Sequence, residues 1–258
     1  MNSHLWIAIA AAVLGAAAPA AAATADKPTI VLVHGAFADS SSWNGVIADL
    51  QRDGFTVVAA ANPLRGIASD ATYVASVVKS LKGPVVLVGH SYGGAVISQA
   101  GAAAGNVKSL VYVDAFTLDV GESVGELGAK FPQIPLGAAL TSAPLPDGGQ
   151  DLYVRPDQFG VVFAPDLPPA SVKLAAAEQR PVAASALGEK PTAAAWKTIP
   201  SWFVYGSADQ AIHPAELAFM AERAHSRKTV VVPGGSHVTL ISHPHEVAAL
   251  IEDAASAP

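Results

Sequence analysis

Residues 85–96, VVLVGHSYGGAV, constrain this chain more than any other stretch. Branched apolar residues read as a buried strand, and the small residues after the turn read as the start of a helix. Between them, Gly89-His90-Ser91-Tyr92-Gly93 fits G-x-S-x-G in the setting the pattern requires, after a strand and before a helix. A serine in such a turn holds a strained backbone that thrusts its hydroxyl above the strand ends, so its neighbours must be nearly free of side chain. Gly89 and Gly93 meet that need, and Gly94 lets helix and strand approach closely. A hydroxyl alone is a poor nucleophile; the turn has chemical meaning only if the rest of the chain supplies a base, an acid to orient it, and amides for a developing oxyanion.

The remaining pattern is that of an α/β chain. Strand-like runs fall at 29–33, 55–59, 85–88, 109–113, 201–205 and 229–232, with helical stretches at 42–52, 69–81, 93–104, 214–224 and 243–254. Apolar runs without alternation predict strands buried on both faces, as in a parallel sheet. The β-α order predicts an open, mostly parallel sheet of about six strands with helices on both faces. With 51% hydrophobic and 14% charged residues there is ample material for one large core. Residues 116–199 break the rhythm with Pro and Gly, as in FPQIPLGAALTSAPLPDGGQ, and carry helical stretches at 169–179 and 182–187. A loop that long is rarely mere connection. It reads as a cap inserted between the fourth and fifth strands, because the chain beyond it is too short to build a core of its own.

Residues 1–25 read as a signal peptide: an apolar stretch from 5 to 18, then Pro19, then small residues suited to cleavage after Ala23 or Ala25, although the first residues carry no Lys or Arg. The expectation is a periplasmic or secreted domain of residues 26–258, with no stable membrane association after cleavage. The chain has no cysteine, hence no disulfides. A net charge of −6 and the lack of a basic cluster argue against a nucleic-acid partner.

Acid and base should follow the serine in that order, each just past the end of a later strand. His237, after the last strand in TVVVPGGSHVTL, is the best base, with Gly234 and Gly235 giving its loop freedom. His225, His243 and His245 sit at helix ends and read as surface residues. Asp209, in YGSADQAI, is the expected acid; Asp114, after SLVYVD, is its rival, with a cap-hinge or helix-capping role as the alternative. The oxyanion hole is expected from the N–H groups of Tyr92 and Ala36, with Gly35 permitting an unusual backbone beside Ala36. His34 is expected to fix that loop by a hydrogen bond, His90 to face away from the site, and Ser40, Ser41 and Ser42 to cap the helix carrying Trp43. Phe116, Phe131, Phe159, Phe163 and Trp196 are candidate pocket walls.

With these residues in place, VLVHGAF, VVLVGHSYGG, YGSADQAI and GGSHVTLISHP resemble the α/β-hydrolase superfamily, and within it the plant methylesterase and hydroxynitrile-lyase branch and its bacterial esterase relatives. The resemblance spans nearly all the chain from about Lys27. It implies a cofactor-free Ser-His-Asp esterase with a helical cap, Ser91 as nucleophile, His237 as base and Asp209 as orienting acid. Two positions depart from the lyases, which carry threonine and lysine where this chain has Gly35 and Val238, and this argues against cyanohydrin cleavage. Ser91 argues against the aspartate-nucleophile dehalogenases and epoxide hydrolases. The expected activity is hydrolysis of a small, apolar carboxylic ester by a monomer or homodimer. A lactonase or C–C hydrolase would use the same residues, and a small-molecule receptor is the alternative from another class.

Overall fold

The computed structural model describes residues 27–258; the expected signal peptide, residues 1–25, lies outside them. The chain runs β1 (Thr29–Val33), α1 (Asn44–Arg52), β2 (Val57–Ala60), α2 (Ile67–Ser80), β3 (Val85–His90), α3 (Tyr92–Ala104) and β4 (Val107–Val113). After an insertion it resumes with β8 (Ser201–Gly206), α8 (Pro214–Arg223), β9 (Thr229–Val232), α9 (Thr239–Ser242) and α10 (Pro244–Ser256). The insertion holds α4 (Val124–Gly128), β5 (Leu140–Pro144), β6 (Gln150–Val154), α5 (Pro156–Val162), α6 (Pro169–Glu178), β7 (Val182–Ala183) and α7 (Ala184–Gly188).

The six main strands form one parallel sheet in the order β2-β1-β3-β4-β8-β9. Its centre is buried on both faces, as the unbroken apolar runs require: all six residues of β3 and all six of β8 are buried. Helices α2 and α3 pack together against one face, and α1 and α10 against the other. The order reverses between β1 and β3, with Val33 opposite Gly89. The loops leaving these two strands therefore diverge from adjacent points, which is where open α/β sheets open a crevice.

Several boundaries differ from the sequence expectations for visible reasons. Phe55 does not start β2, because its N–H donates to Leu50 O (2.9 Å) and closes the end of α1. The turn carrying Trp43 is capped by Asp39, whose carboxylate accepts the Ser41 N–H at 2.8 Å, and not by the three serines. The helix expected at 182–187 starts two residues late: Val182 and Ala183 first pair with Leu152 and Asp151 as a third strand beside the β5–β6 hairpin. That hairpin closes through a Pro-Asp-Gly-Gly turn, with Gly148 at φ 87°. Among the described residues, no helix is long and apolar enough to cross a membrane.

Candidate active site

Ser91 sits between β3 and α3 at φ 52°, ψ −125°. A non-glycine residue there is strained by roughly 1–3 kcal/mol, and the surroundings fix it. Its N–H donates to Val113 O (3.2 Å), and its carbonyl accepts from Gly94 (2.9 Å) and Phe116 (3.1 Å). The glycines around it are needed for space. A Cβ on Gly89 would lie 2.6 Å from Gly93 O, and one on Gly93 2.5 Å from Val33 O. Gly35 answers to the same cause: its Cβ would lie 2.5 Å from Ser91 Cβ and 2.8 Å from His90 O. Close approach, not an unusual φ, demands glycine at 35; the positive φ of this loop falls on Phe37, at 60°.

The structure brings Ser91, His237 and Asp209 into one buried chain of hydrogen bonds. His237 Nδ1 lies 2.7 Å from Asp209 Oδ2, and His237 Nε2 lies 2.9 Å from Ser91 Oγ. A carboxylate accepts, so Nδ1 carries the proton and Nε2 is free to accept from the serine hydroxyl. Asp209 Oδ1 is held by the N–H groups of Ala211 (2.7 Å) and Ile212 (2.9 Å). Burial alone would push the His237 imidazole down; the charge and hydrogen bond of Asp209, with the charge of Asp114, outweigh it and hold the ring above its usual 6.5.

Asp114, the rival acid, makes no hydrogen bond to His237. From φ 45° its carboxylate accepts from Gly206 N (2.8 Å), Thr239 N (3.1 Å) and Thr239 Oγ1 (2.5 Å). It staples the end of β8 to the first residue of α9, so the helix-capping alternative describes it. Burial and the neighbouring Asp209 charge raise its carboxyl to about 7. His34 holds its loop as expected: Nε2 accepts the Asn62 N–H (3.0 Å), and the His34 carbonyl accepts from the Asn62 amide (2.9 Å).

His90 does not face away. Its Nε2 donates to the His237 carbonyl at 3.0 Å, and the two rings lie 5.0 Å apart. Burial keeps its imidazole well below the usual value and therefore neutral. It is a floor for His237. A second support comes from the insertion, where Asp166 accepts from Ser236 N (3.0 Å) and Ser236 Oγ (2.6 Å). No local signal marks either contact, since both join segments far apart in sequence. His225, His243 and His245 lie away from the site; His245 pairs with Asp49 at the surface.

A cavity of about 320 Å³ opens on Ser91 and His237. Ala36, Phe37, Phe116 and Phe163 line it, with Ile134 and Leu136 among the residues contributed by the insertion. The N–H groups of Ala36 and Tyr92 have no hydrogen-bond acceptor among the described residues, and both residues border this cavity. A second cavity of about 250 Å³ shares Phe37 and Phe163 as its wall, their rings edge to face at 6.0 Å. Of the five aromatics singled out, Phe116 and Phe163 line the first cavity and Phe159 the second. Phe131 and Trp196 line neither: Phe131 packs on Phe219, and the Trp196 indole donates to Leu118 O at 2.9 Å. Among the described residues no cluster of His, Asp or Glu could hold a metal ion.

A strained serine after the third strand of a parallel sheet, backed by histidine and aspartate from the loops after its last two strands, is the architecture of the α/β hydrolases. The chain belongs to the alpha/beta hydrolase family, whose model matches residues 30–250. It is 27% identical over 250 residues to the alpha/beta hydrolase nvfD of Aspergillus novofumigatus, covering 89% of this chain and 97% of that one. Among solved structures it resembles polyneuridine aldehyde esterase (TM-score 0.77, 18% identity, 88% of this chain and 99% of that). It also resembles a pyrethroid hydrolase from Sphingobium faniae JZ-2 (0.70, 23%, 90% and 98%) and the methylesterase MES16 from Arabidopsis (0.72, 17%, 89% and 99%).

Proposed function

We propose that the protein is a serine hydrolase that cleaves a small, largely apolar carboxylic ester through an acyl-enzyme. The observation that carries this is the buried chain Ser91–His237–Asp209, with its proton positions dictated by the acceptor at one end. Ser91 Oγ attacks the ester carbonyl as His237 Nε2 takes its proton, forming a C–O bond and placing negative charge on the carbonyl oxygen. The unoccupied amides of Ala36 and Tyr92 donate to that oxygen; such a donor is worth roughly 2.7–4 kcal/mol in the transition state. His237 then protonates the leaving alkoxide, and in the second half activates water to release the acid and restore Ser91. Asp209 keeps the ring in the productive tautomer and stabilises its cationic form. The insertion acts as a cap, supplying apolar walls and anchoring the His237 loop through Asp166. Two of the structurally similar proteins are named esterases, which agrees with this reading.

Hydrolysis of p-nitrophenyl esters from acetate to decanoate tests the proposal. Turnover should peak at short to medium acyl chains, because a cavity of about 320 Å³ is shared by acyl and alcohol parts. A flat profile through decanoate would contradict the small pocket, and absence of turnover on every ester would sink the esterase itself.

The pH profile gives an independent check. The base must be neutral to act, so kcat/KM should rise with pH and reach half its plateau above 6.5, since Asp209 and Asp114 favour the imidazolium. Asp209→Asn removes one of those charges; the midpoint should move to lower pH while the plateau falls by roughly 10⁴-fold through loss of the correct tautomer. A midpoint that did not move would show that Asp209 does not face the titrating base. For residues 1–25 we propose export, which mass determination of the mature chain from culture medium and periplasm would test.

A further inference from the structure

One residue of the cavity has no role in the steps above. Glu216, in the first turn of α8, lines the same cavity as Ser91 and His237 and is only 3% exposed. It is the one acidic side chain in a wall otherwise made of apolar, glycine, amide and site residues. Neither of its carboxyl oxygens has a hydrogen-bond partner among the described residues, and Oε1 is completely buried. Its other oxygen, Oε2, lies toward Gly128 in the cavity wall, 3.8 Å from where a Cβ would stand there. The cation whose charge reaches it, Arg223, makes no hydrogen bond to it: the Arg223 NH2 group donates to Glu122 (3.0 Å) and to Thr117 O (2.6 Å). Burying a carboxyl with no partner is costly. Its retention on the wall of a binding cavity calls for a partner that arrives with the ligand.

We infer that Glu216 is a second recognition point of this cavity and selects ester substrates that carry a hydroxyl group away from the scissile carbonyl. The inference rests on the ester-hydrolase reading of the site. A hydroxyl is favoured over other polar groups by the environment of Glu216. Burial first, then the charges of Asp209 and Glu122, raise its carboxyl to about 7, and Arg223 opposes them without prevailing. Near neutral pH both forms are present. A hydroxyl donates to the ionised form and accepts from the protonated one, so it stays bound through the titration. A ketone would be held only by the protonated form. An ammonium would be held only by the ionised form and would enter a wall that offers no second anion.

The test compares kcat/KM for ethyl α-, β- and γ-hydroxybutanoate with that for ethyl butanoate, with p-nitrophenyl acetate alongside. Wild type should prefer at least one hydroxylated ester by about tenfold or more, as expected for a hydrogen bond to a carboxyl in a dry site. That ratio should stay level as pH passes through 7. Glu216→Gln keeps a donor and an acceptor and should hold the ratio to within about threefold; Glu216→Met removes both and should abolish it. Hydrolysis of p-nitrophenyl acetate with no hydroxyl preference, or a preference unchanged in Glu216→Met, would overturn this inference alone. A ratio that falls steeply above pH 7 would overturn the hydroxyl assignment in favour of a carbonyl. Wild type inert toward every ester would overturn the hydrolase reading and this inference with it. The wild-type ratio and its pH dependence decide the matter even if Glu216→Met fails to fold.

Discussion

Ser91→Ala and His237→Ala should each lower p-nitrophenyl ester turnover by roughly 10⁴- to 10⁶-fold, and the double variant should be no worse than either alone. The expected loss is large because each residue works only through the other. Without Nε2 at 2.9 Å the serine hydroxyl keeps its proton; without Oγ the base has nothing to deprotonate. Residual catalysis would come from the Ala36 and Tyr92 amides and from binding. Ser91→Ala should cost little stability, whereas His237→Ala leaves Asp209 Oδ2 buried without its partner and should destabilise the fold. Ser91→Ala keeps the Cβ and the backbone bonds that hold the turn, although alanine inherits the φ of 52°. Losses that multiplied in the double variant would mean that the two residues act independently, and the proposed proton relay would then be wrong.

The second large effect is structural. Gly206→Ala should destabilise the protein by about 3 kcal/mol or more. Gly206 ends β8, and a Cβ there would lie 2.1 Å from Gly235 O and 2.4 Å from Ser236 O. Both atoms are backbone, so no rotamer change can relieve the clash; the loop carrying His237 must move, or the end of β8 must. The Gly206 N–H is also the group held by Asp114. A melting temperature lower by roughly 6–12 °C is expected for a domain of this size, with activity lost even below the melt because the base is displaced. Gly188→Ala is the control: nothing lies within 4 Å of its added Cβ, and it should change little. Equal melting temperatures for the two variants would refute the tight fit between β8 and the His237 loop.

What could be read in advance follows from how local each constraint is. Ser91 is legible because its glycines are adjacent to it in the chain. His237 and Asp209 are legible by order and by their place after strands, but Asp114 also follows a strand. Only the direction of its carboxylate, across to Gly206 and Thr239, separates a capping carboxylate from the orienting acid. The floor made by His90 and the Asp166–Ser236 tie pair residues with no common pattern, so nothing in the sequence announces them. The β5–β6 hairpin hides because a five-residue strand ending in Pro144 offers little alternation to detect. Glu216 did leave a trace. It sits four residues before Met220 and beside Leu217, on the buried stripe of α8. A charged residue on an apolar helical face merits attention before any coordinates exist.

The order of the strands has a consequence in time. Ser91 follows β3, but its two partners come from the loops after β8 and β9, and β8 reaches β4 only across the whole insertion. Pairings between segments so far apart form late, because the intervening chain must be closed into a loop before any contact rewards it. During synthesis the chain therefore carries its serine unarmed until almost every residue has emerged. On the proposed mechanism, catalytic competence would be the last property the molecule acquires, and a half-assembled sheet would be chemically silent.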